Sequence, residues 1–401
     1  MEANRIFDEI HVISSKSLFA TKLDHPLSPD VNSLHRIYAF DYRWILQLSA
    51  KRFHLGEDMK ENTLTLYMQK LIHSLPLNIF IGEGGFIYTL CALITSVRLI
   101  ITHNINYIYS SFSPASDHAI AWLLKIIFRK KVFWIADFRD LPVDPLFNNY
   151  LFPALQHKLW KRMLSNADLV TTVSYGLKRF LQNYNQNVII IRNAISRYMP
   201  VSNGRFVKMD ESKFTIAYTG SMHGRHSDPS LLLQTLQYLI HNRLIDSTKV
   251  ELIYAGKDGN VWNKLMKQFN LLDIFTNKGI LPLDDAIYIQ RHANINLMLT
   301  FAKENYKGVI TGKFPEYLYA GKPIMAIING NKDTELESIF NKCNPGIILY
   351  NEESYTTKCA DFILTLYNDW IEGKWEKHLK TKLIKEFLWE ENIRKLNRRL
   401  G

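Results

Sequence analysis

The chain has 401 residues, 47% of them hydrophobic, which rules out a disordered chain and leaves room for two domains of roughly 150–200 residues each. Its formal net charge of +11 favours acidic partners such as nucleotide diphosphates or anionic lipid headgroups. No zinc-finger spacing or RNA-recognition aromatic pattern accompanies that charge, so nucleic acid is set aside, and the three cysteines, Cys91, Cys343 and Cys359, are too scattered for a disulfide framework or a zinc site.

The first residues, MEANRIFDEIHVISS, lack a basic region followed by an apolar core, so no signal peptide is expected, and scattered cysteines fit a reducing, cytoplasmic setting. Residues 9–14 (EIHVIS) predict a strand. Residues 86–101 (FIYTLCALITSVRLII) are strongly apolar but short of the ~20 residues that span a bilayer, and Arg98 interrupts them. A buried helix is the expectation there, and an interfacial helix is the alternative. Three further strands are predicted at 106–111 (NYIYSS), 131–138 (KVFWIADF) and 169–174 (LVTTVS), and another at 187–193 (NVIIIRN). Helical periodicity fills 118–128 and 159–167 between them.

Residues 197–212 are polar and turn-rich and read as a linker. The alternation then restarts, with strands expected at 213–220, 249–256, 293–300, 323–330 and 346–350. Strand–helix alternation with strands apolar on both faces points to parallel, doubly wound sheets. The expected architecture is therefore α/β, two Rossmann-like domains facing across a cleft. They span 1–196 and 213–375, and a basic helical tail follows at 376–401.

Ligands in such sheets sit beyond the carboxyl ends of the strands, and two stretches there carry unusual chemistry. In VITGKFPEYLYAGKP, Pro315 suits a first helical turn and Gly321 suits a helix end, so a short helix is predicted from Gly312 or Lys313 to Gly321. Gly312 permits close approach of a ligand to the backbone, Lys313 adds a cation, and Glu316 one turn on can accept bonds from a diol. Diphosphate beside diol describes a nucleotide sugar, although a plain capped helix with a surface Lys and Glu would look the same. In DFRD, Asp137, Arg139 and Asp140 follow a strand. They make either a local ion pair or an acceptor-side polar group, with Asp137 as the contact and Arg139 orienting it.

Taken in series, SSFSPASDHAIAWLL, KKVFWIADFRDLP, ADLVTTVSYGLKRFL, VIIIRNAI, IAYTGSM, LIYAGKDG and TGKFPEYLYAGKPIM resemble the retaining GT-B glycosyltransferases of the family-four type, in particular the branch that assembles polysaccharides. The resemblance covers most of residues 100–400. It implies that the second domain holds a nucleotide diphosphate sugar and the first receives a glycan or lipid-linked acceptor. It also implies that the C-terminal helices cross back to the first domain. Glu316 matches the second of the family's paired glutamates, the ribose contact, but the first falls on Gly308, with Glu304 near it and off register.

By the same resemblance the Thr311–Gly312 amides contact phosphate. The loop GSMHGRHSD contributes Gly220 and the cation Arg225, with His223 and His226 behind it, and His118 lies at a helix start on the catalytic side. The glycine-rich loop after the family's first strand has no counterpart at the start of this chain, and Gly84–Gly85 lies too far along to supply it. No aspartate-rich metal motif is present, so no metal ligand and no cofactor beyond the donor is expected, and fixed cations and amides would do that electrostatic work. Peripheral attachment to the anionic cytoplasmic face of a membrane is expected from the basic tail and the apolar 86–101 segment. A sugar-nucleotide epimerase or hydrolase on the same fold, or a silent GT-B scaffold, are the alternatives.

Overall fold

The computed structural model describes residues 7–17, 31–39, 67, 70–81, 85–144, 150–196, 207–222, 224–303, 308, 310–375 and 384–400. The chain divides into two compact units, one of residues 1–173, 177–191 and 400–401, the other of 174–176 and 192–399. Residues 197–206 of the expected linker, 376–383 of the tail, Gly84, His223 and Glu304 lie outside the described residues, as does the side chain of Arg225.

In the first unit, β1 (His11–Ser17) and β2 (Ser33–Ala39) form a two-stranded parallel sheet. Two helices follow, α1 (Leu77–Ile81) and α2 (Gly85–Thr102). A second sheet contains β3 (Tyr107–Phe112), β4 (Phe133–Phe138), β5 (Leu169–Thr172) and β6 (Val188–Ile190), all parallel and in that order. The crossovers are α3 (Ala115–Phe128), α4 (Pro153–Leu164) and α5 (Tyr175–Leu181).

Alternation along β4 supplies one side of the core: Trp134, Ala136 and Phe138 pack with Trp160, Met163 and Leu181. On another cluster, Tyr88, Ala92 and Ile100 of α2 meet Ile120 and Leu124 of α3, with Ile13 and Ile37 of the small sheet packed against them. The sequence reading omitted β2, because its SLHRIYA pattern mixes charge with apolar residues and sits between polar stretches.

α2 corrects the expectation of a buried helix. It is long and apolar enough to cross a membrane by length and composition, yet only 28% of its 18 residues are buried. Tyr88, Ala92, Leu99 and Ile100 face the core, whereas Phe86, Ile87, Leu90, Ile94 and Ile101 are exposed. An apolar helix has only one face that its own unit can cover. The other face stays in solvent and is continuous with exposed Phe80 of α1.

The second unit is a six-stranded parallel sheet built from β7 (Phe214–Thr219), β8 (Val250–Ala255), β9 (Phe275–Asn277), β10 (Ile295–Ala302), β11 (Ile324–Gly330) and β12 (Gly346–Tyr350). Its order is β12-β11-β10-β7-β8-β9, the doubly wound arrangement in which direction reverses between β7 and β10. Helices α6 (Ser230–His241), α7 (Gly259–Gln268), α8 (Leu283–His292), α9 (Phe314–Ala320), α10 (Thr334–Cys343) and α11 (Thr356–Ile371) cover both faces, and α12 (Trp389–Leu400) closes the described chain.

Period-2 burial shows the layering. Leu297 and Leu299 join Leu232, Leu236, Trp262 and Ile363 on one face. Met298 and Ala302 join Phe314, Leu318 and Phe340 on the other.

Candidate functional site

The strand-order reversal beside β7 is where an open α/β sheet leaves a crevice for ligands, and the end of β7 carries a glycine. Gly220 has φ 145°, outside the range L side chains adopt with ease, and its amide bonds to Ala255 O at 2.7 Å. A Cβ built there would lie 2.0 Å from the Lys313 Nζ. The glycine therefore lets the Lys313 ammonium lie against the backbone at the strand end.

Lys313 precedes α9, a helix that starts at Phe314, has Pro315 in its first turn and ends on left-handed Gly321 with φ 71°. The predicted limits were Gly312 or Lys313 and Gly321. Thr311 Oγ1 is buried without a hydrogen-bond partner among the described residues, and Gly312 is exposed.

Glu316 is held in place from a different element. Gln290 on α8 donates through Nε2 to Glu316 Oε2 at 2.9 Å and contacts Thr219 Oγ1 at 2.9 Å. Thr219 Oγ1 also lies 3.2 Å from the fully buried Tyr317 hydroxyl. Burial pushes the Lys313 pKa down, opposed by Glu316. Burial also pushes the Glu316 pKa up, opposed by the Gln290 bond and Lys313. Both groups are thus desolvated in the free protein and set to gain from a polar ligand. Gly220, Thr311, Gly312, Lys313 and Glu316 are brought together, while for Arg225 only the backbone is described, in a single 3₁₀ turn, Gly224–Ser227.

Position 308, where the resemblance implies a glutamate, is closed to one. Gly308 has φ 77°, and a Cβ there would lie 2.2 Å from Glu335 Oε2 and 3.2 Å from the Ser174 Cβ. Glu335 accepts from Arg192 Nη1 at 2.9 Å and from the Tyr175 amide at 2.9 and 3.1 Å, while Arg192 Nε donates to Glu386 at 3.0 Å. The Arg192 and Glu335 side chains are only 5% and 10% exposed. Burial raises the Glu335 pKa against the opposing Tyr175 amide and Arg192. This buried pair was missed in the sequence. Residues 192 and 335 lie far apart in the chain, and although Arg192 belongs to VIIIRNAI, nothing in that stretch names its partner.

In the first unit the expected catalytic histidine lies in the core. His118, in the first turn of α3, is fully buried among Phe112, Trp134, Phe138 and Trp160. Its Nδ1 lies 2.7 Å from Ser110 Oγ, which also accepts from the Trp134 indole at 2.8 Å. Burial lowers its pKa to about 3, so it is neutral at physiological pH. Helical periodicity places residue 118 on the inner face of α3, and its Nε2 is buried without a hydrogen-bond partner among the described residues.

Asp137 and Arg139 reverse the roles the sequence suggested. Asp137 is 1% exposed and saturated, accepting from Thr171 Oγ1 at 2.6 Å and Arg139 Nε at 2.7 Å. The carboxylate positions the arginine, whose side chain is 25% exposed at the carboxyl end of β4.

No protein-family model matches the sequence, and no curated protein matches it in sequence. Solved structures do match in fold. A sucrose-phosphate synthase from Thermosynechococcus elongatus superposes with a TM-score of 0.61 at 12% identity, over 98% of this chain and 88% of that one. S. aureus MnaA, solved with UDP, gives 0.51 at 12% identity over 98% and 96%. A UDP-N-acetylglucosamine 2-epimerase gives 0.50 at 13% identity over 93% and 88%. The chain has the GT-B fold, built of two Rossmann-like units.

Proposed function

We propose that the chain is a glycosyltransferase that moves a sugar from a nucleotide diphosphate donor to a glycan or lipid-linked acceptor in polysaccharide assembly. The observation that carries the reading is the Lys313 ammonium laid on Gly220 at the sheet's reversal point, with Glu316 fixed beside it by Gln290. A diphosphate set there would meet the ammonium, the Thr311–Gly312 amides, the orphan Thr311 hydroxyl and, from its loop, Arg225, while Glu316 would take the ribose diol. As the glycosidic bond to phosphate breaks, negative charge grows on the leaving diphosphate, and a preorganised cation in a desolvated setting stabilises that charge without reorganising.

We further propose that transfer is independent of added metal and retaining in outcome, as the family resemblance implies. Arg139, held by Asp137, is the polar group we place on the acceptor side of the first unit. The UDP in the MnaA structure accords with a nucleotide-sugar donor.

We place the protein in the cytoplasm, attached peripherally to an anionic membrane surface. The exposed face of α2 supports this, together with an apolar groove of about 440 Å³ lined by Leu75, Phe80, Phe86, Leu90, Trp122 and Leu123 among others. Arg98, Arg129, Lys130 and Lys131 are exposed on the same helices or just after them.

The 2-epimerase likeness gives a second reading, sugar-nucleotide epimerisation without an acceptor. The test is incubation with a panel of nucleotide sugars, with and without lipid-linked and glycan acceptors, before and after brief EDTA treatment. Acceptor-dependent nucleotide release that survives EDTA is expected. Conversion of the sugar without an acceptor would establish the epimerase instead, and no turnover of any donor would leave a silent scaffold.

A further inference from the structure

The first unit contains a cluster of polar groups that the donor site does not use. Glu9 precedes β1, His11 opens β1, and His103 directly follows α2. His11 Nε2 and His103 Nδ1 each lie 3.0 Å from the same carboxylate oxygen, Glu9 Oε2. The three ligand-capable atoms all lie within 4.8 Å of one another. Ligands about 2.0–2.1 Å from a tetrahedral zinc ion sit roughly 3.3 Å apart, close to the 3.0 Å that separates Glu9 Oε2 from each ring nitrogen, so side-chain adjustment would admit an ion.

Behind the cluster runs a hydrogen-bond relay. His11 Nδ1 lies 2.5 Å from Ser33 Oγ, and Ser33 Oγ lies 2.8 Å from His35 Nε2. Residues 11 and 33 are direct partners in the β1–β2 register, so the sheet itself places Ser33 against the ring.

We propose that Glu9, His11 and His103 form a site for a divalent transition-metal ion of the zinc class, with the fourth position left to water. Two imidazoles and one carboxylate are the donor set that zinc takes in sites with three protein ligands, and imidazole suits Zn²⁺ over Mg²⁺ or Ca²⁺. The relay supplies the outer shell such a histidine needs. With Nε2 on the metal, the His11 proton sits on Nδ1 and donates to Ser33, whose hydroxyl then turns to donate to His35.

The ion would join the start of β1, the start of β2 through Ser33, and the end of α2. It would act as a clamp on the packing of Ile13 and Ile37 against that helix, remote in chain position from Lys313 and Glu316. The ion has no part in sugar transfer, so this site stands or falls apart from the donor reading.

The test uses the full, untagged chain, stripped with a chelator and titrated with Zn²⁺ against a competing dye, and with Co²⁺ for its visible absorption. One tight equivalent, a four-coordinate Co²⁺ spectrum and a zinc-dependent rise in Tm are expected. His103→Ala, at a side chain 40% exposed, should cut affinity at least tenfold and abolish the Tm rise while leaving UDP binding intact. Glu9→Gln should do the same, and Ser33→Ala should weaken binding about 10–100-fold through the relay. Absence of a tight equivalent, or zinc affinity unchanged in His103→Ala and Glu9→Gln, would overturn the site.

Discussion

The two units end their central strands in opposite ways. In the second, β7 runs into Gly220, with a desolvated lysine on its backbone and an unpartnered threonine hydroxyl nearby. In the first, β3 and β4 lead to polar groups largely committed to one another, His118 Nδ1 to Ser110 and Asp137 to Thr171 and Arg139, although His118 Nε2 is buried without a partner among the described residues. Unsatisfied, desolvated groups are costly to a fold, and a fold retains them where a ligand completes them. Satisfied ones serve stability. The contrast separates a strand end whose charged groups are desolvated from one whose polar residues chiefly bond to one another, with the Arg139 side chain partly exposed.

Arg192→Ala gives the largest expected effect, and it bounds the comparison, because the second unit also contains a committed polar pair. Removing the arginine leaves the Glu335 carboxylate buried and unpaired, which should cost about 3–5 kcal/mol of stability in denaturant unfolding. Replacing both partners by apolar residues should recover much of it. A small loss in the single variant would show the pair to be open to water.

Lys313→Ala and Glu316→Ala come next. Each should weaken nucleotide diphosphate binding by about 1.5–3 kcal/mol in calorimetry with the fold intact. Gly220→Ala should weaken binding too, because its methyl group needs the space of the ammonium, and combined with Lys313→Ala it should add little. Parent-like binding in all three would remove the donor assignment from this site.

The third expected effect tests the committed side. His118 has a folded pKa of about 3 against an unfolded value near 6.5. The unfolded chain therefore takes up a proton below pH 6.5 that the folded chain refuses. His118 contributes its full stability above that pH and loses it as pH falls toward 3, at about 1.4 kcal/mol per unit. Acidification from pH 7 to 5 should cost about 2 kcal/mol through this group. His118→Gln should be less stable at pH 7 and flatter with pH. If it lost transfer while keeping its fold and donor binding, the histidine would belong to the chemistry after all.

The smallest expected effect concerns the exposed face of α2. Ile94→Asp should reduce co-sedimentation with anionic vesicles, and salt should weaken binding of the parent, each basic residue near the surface contributing about 1 kcal/mol. Binding indifferent to both lipid charge and salt would point to insertion of the apolar face alone.

Most of the fold could be read from the chain because buried parallel strands write themselves as apolar runs. EIHVIS, KVFWIADF and ANINLMLT each fall on an observed strand. The segment from Lys313 to Gly321 was equally legible, since proline, glycine and charge meet within one short helix. What stayed hidden depends on three-dimensional neighbours. Nothing near residue 118 in sequence announces the ring cage that neutralises its histidine. The Glu9–His11–His103 cluster joins the start of β1 to the end of α2, with β2 and α1 between them in the chain, so no spacing rule finds it. The exposure of α2 also escaped, because composition records how apolar a helix is and not how much of it finds cover.

Gly308 carries a consequence for how this chain can vary. The space its side chain would need is held by the Glu335 carboxylate, so positions 308 and 335 share room for a single acid. A glutamate introduced at 308 alone meets both the left-handed backbone and a like charge, and Glu335→Gly alone removes one of the two carboxylates that pair with Arg192. Only a reciprocal exchange moves the acid from one backbone to the other. The two positions should therefore vary as a linked couple, with each single change passing through a weakened intermediate.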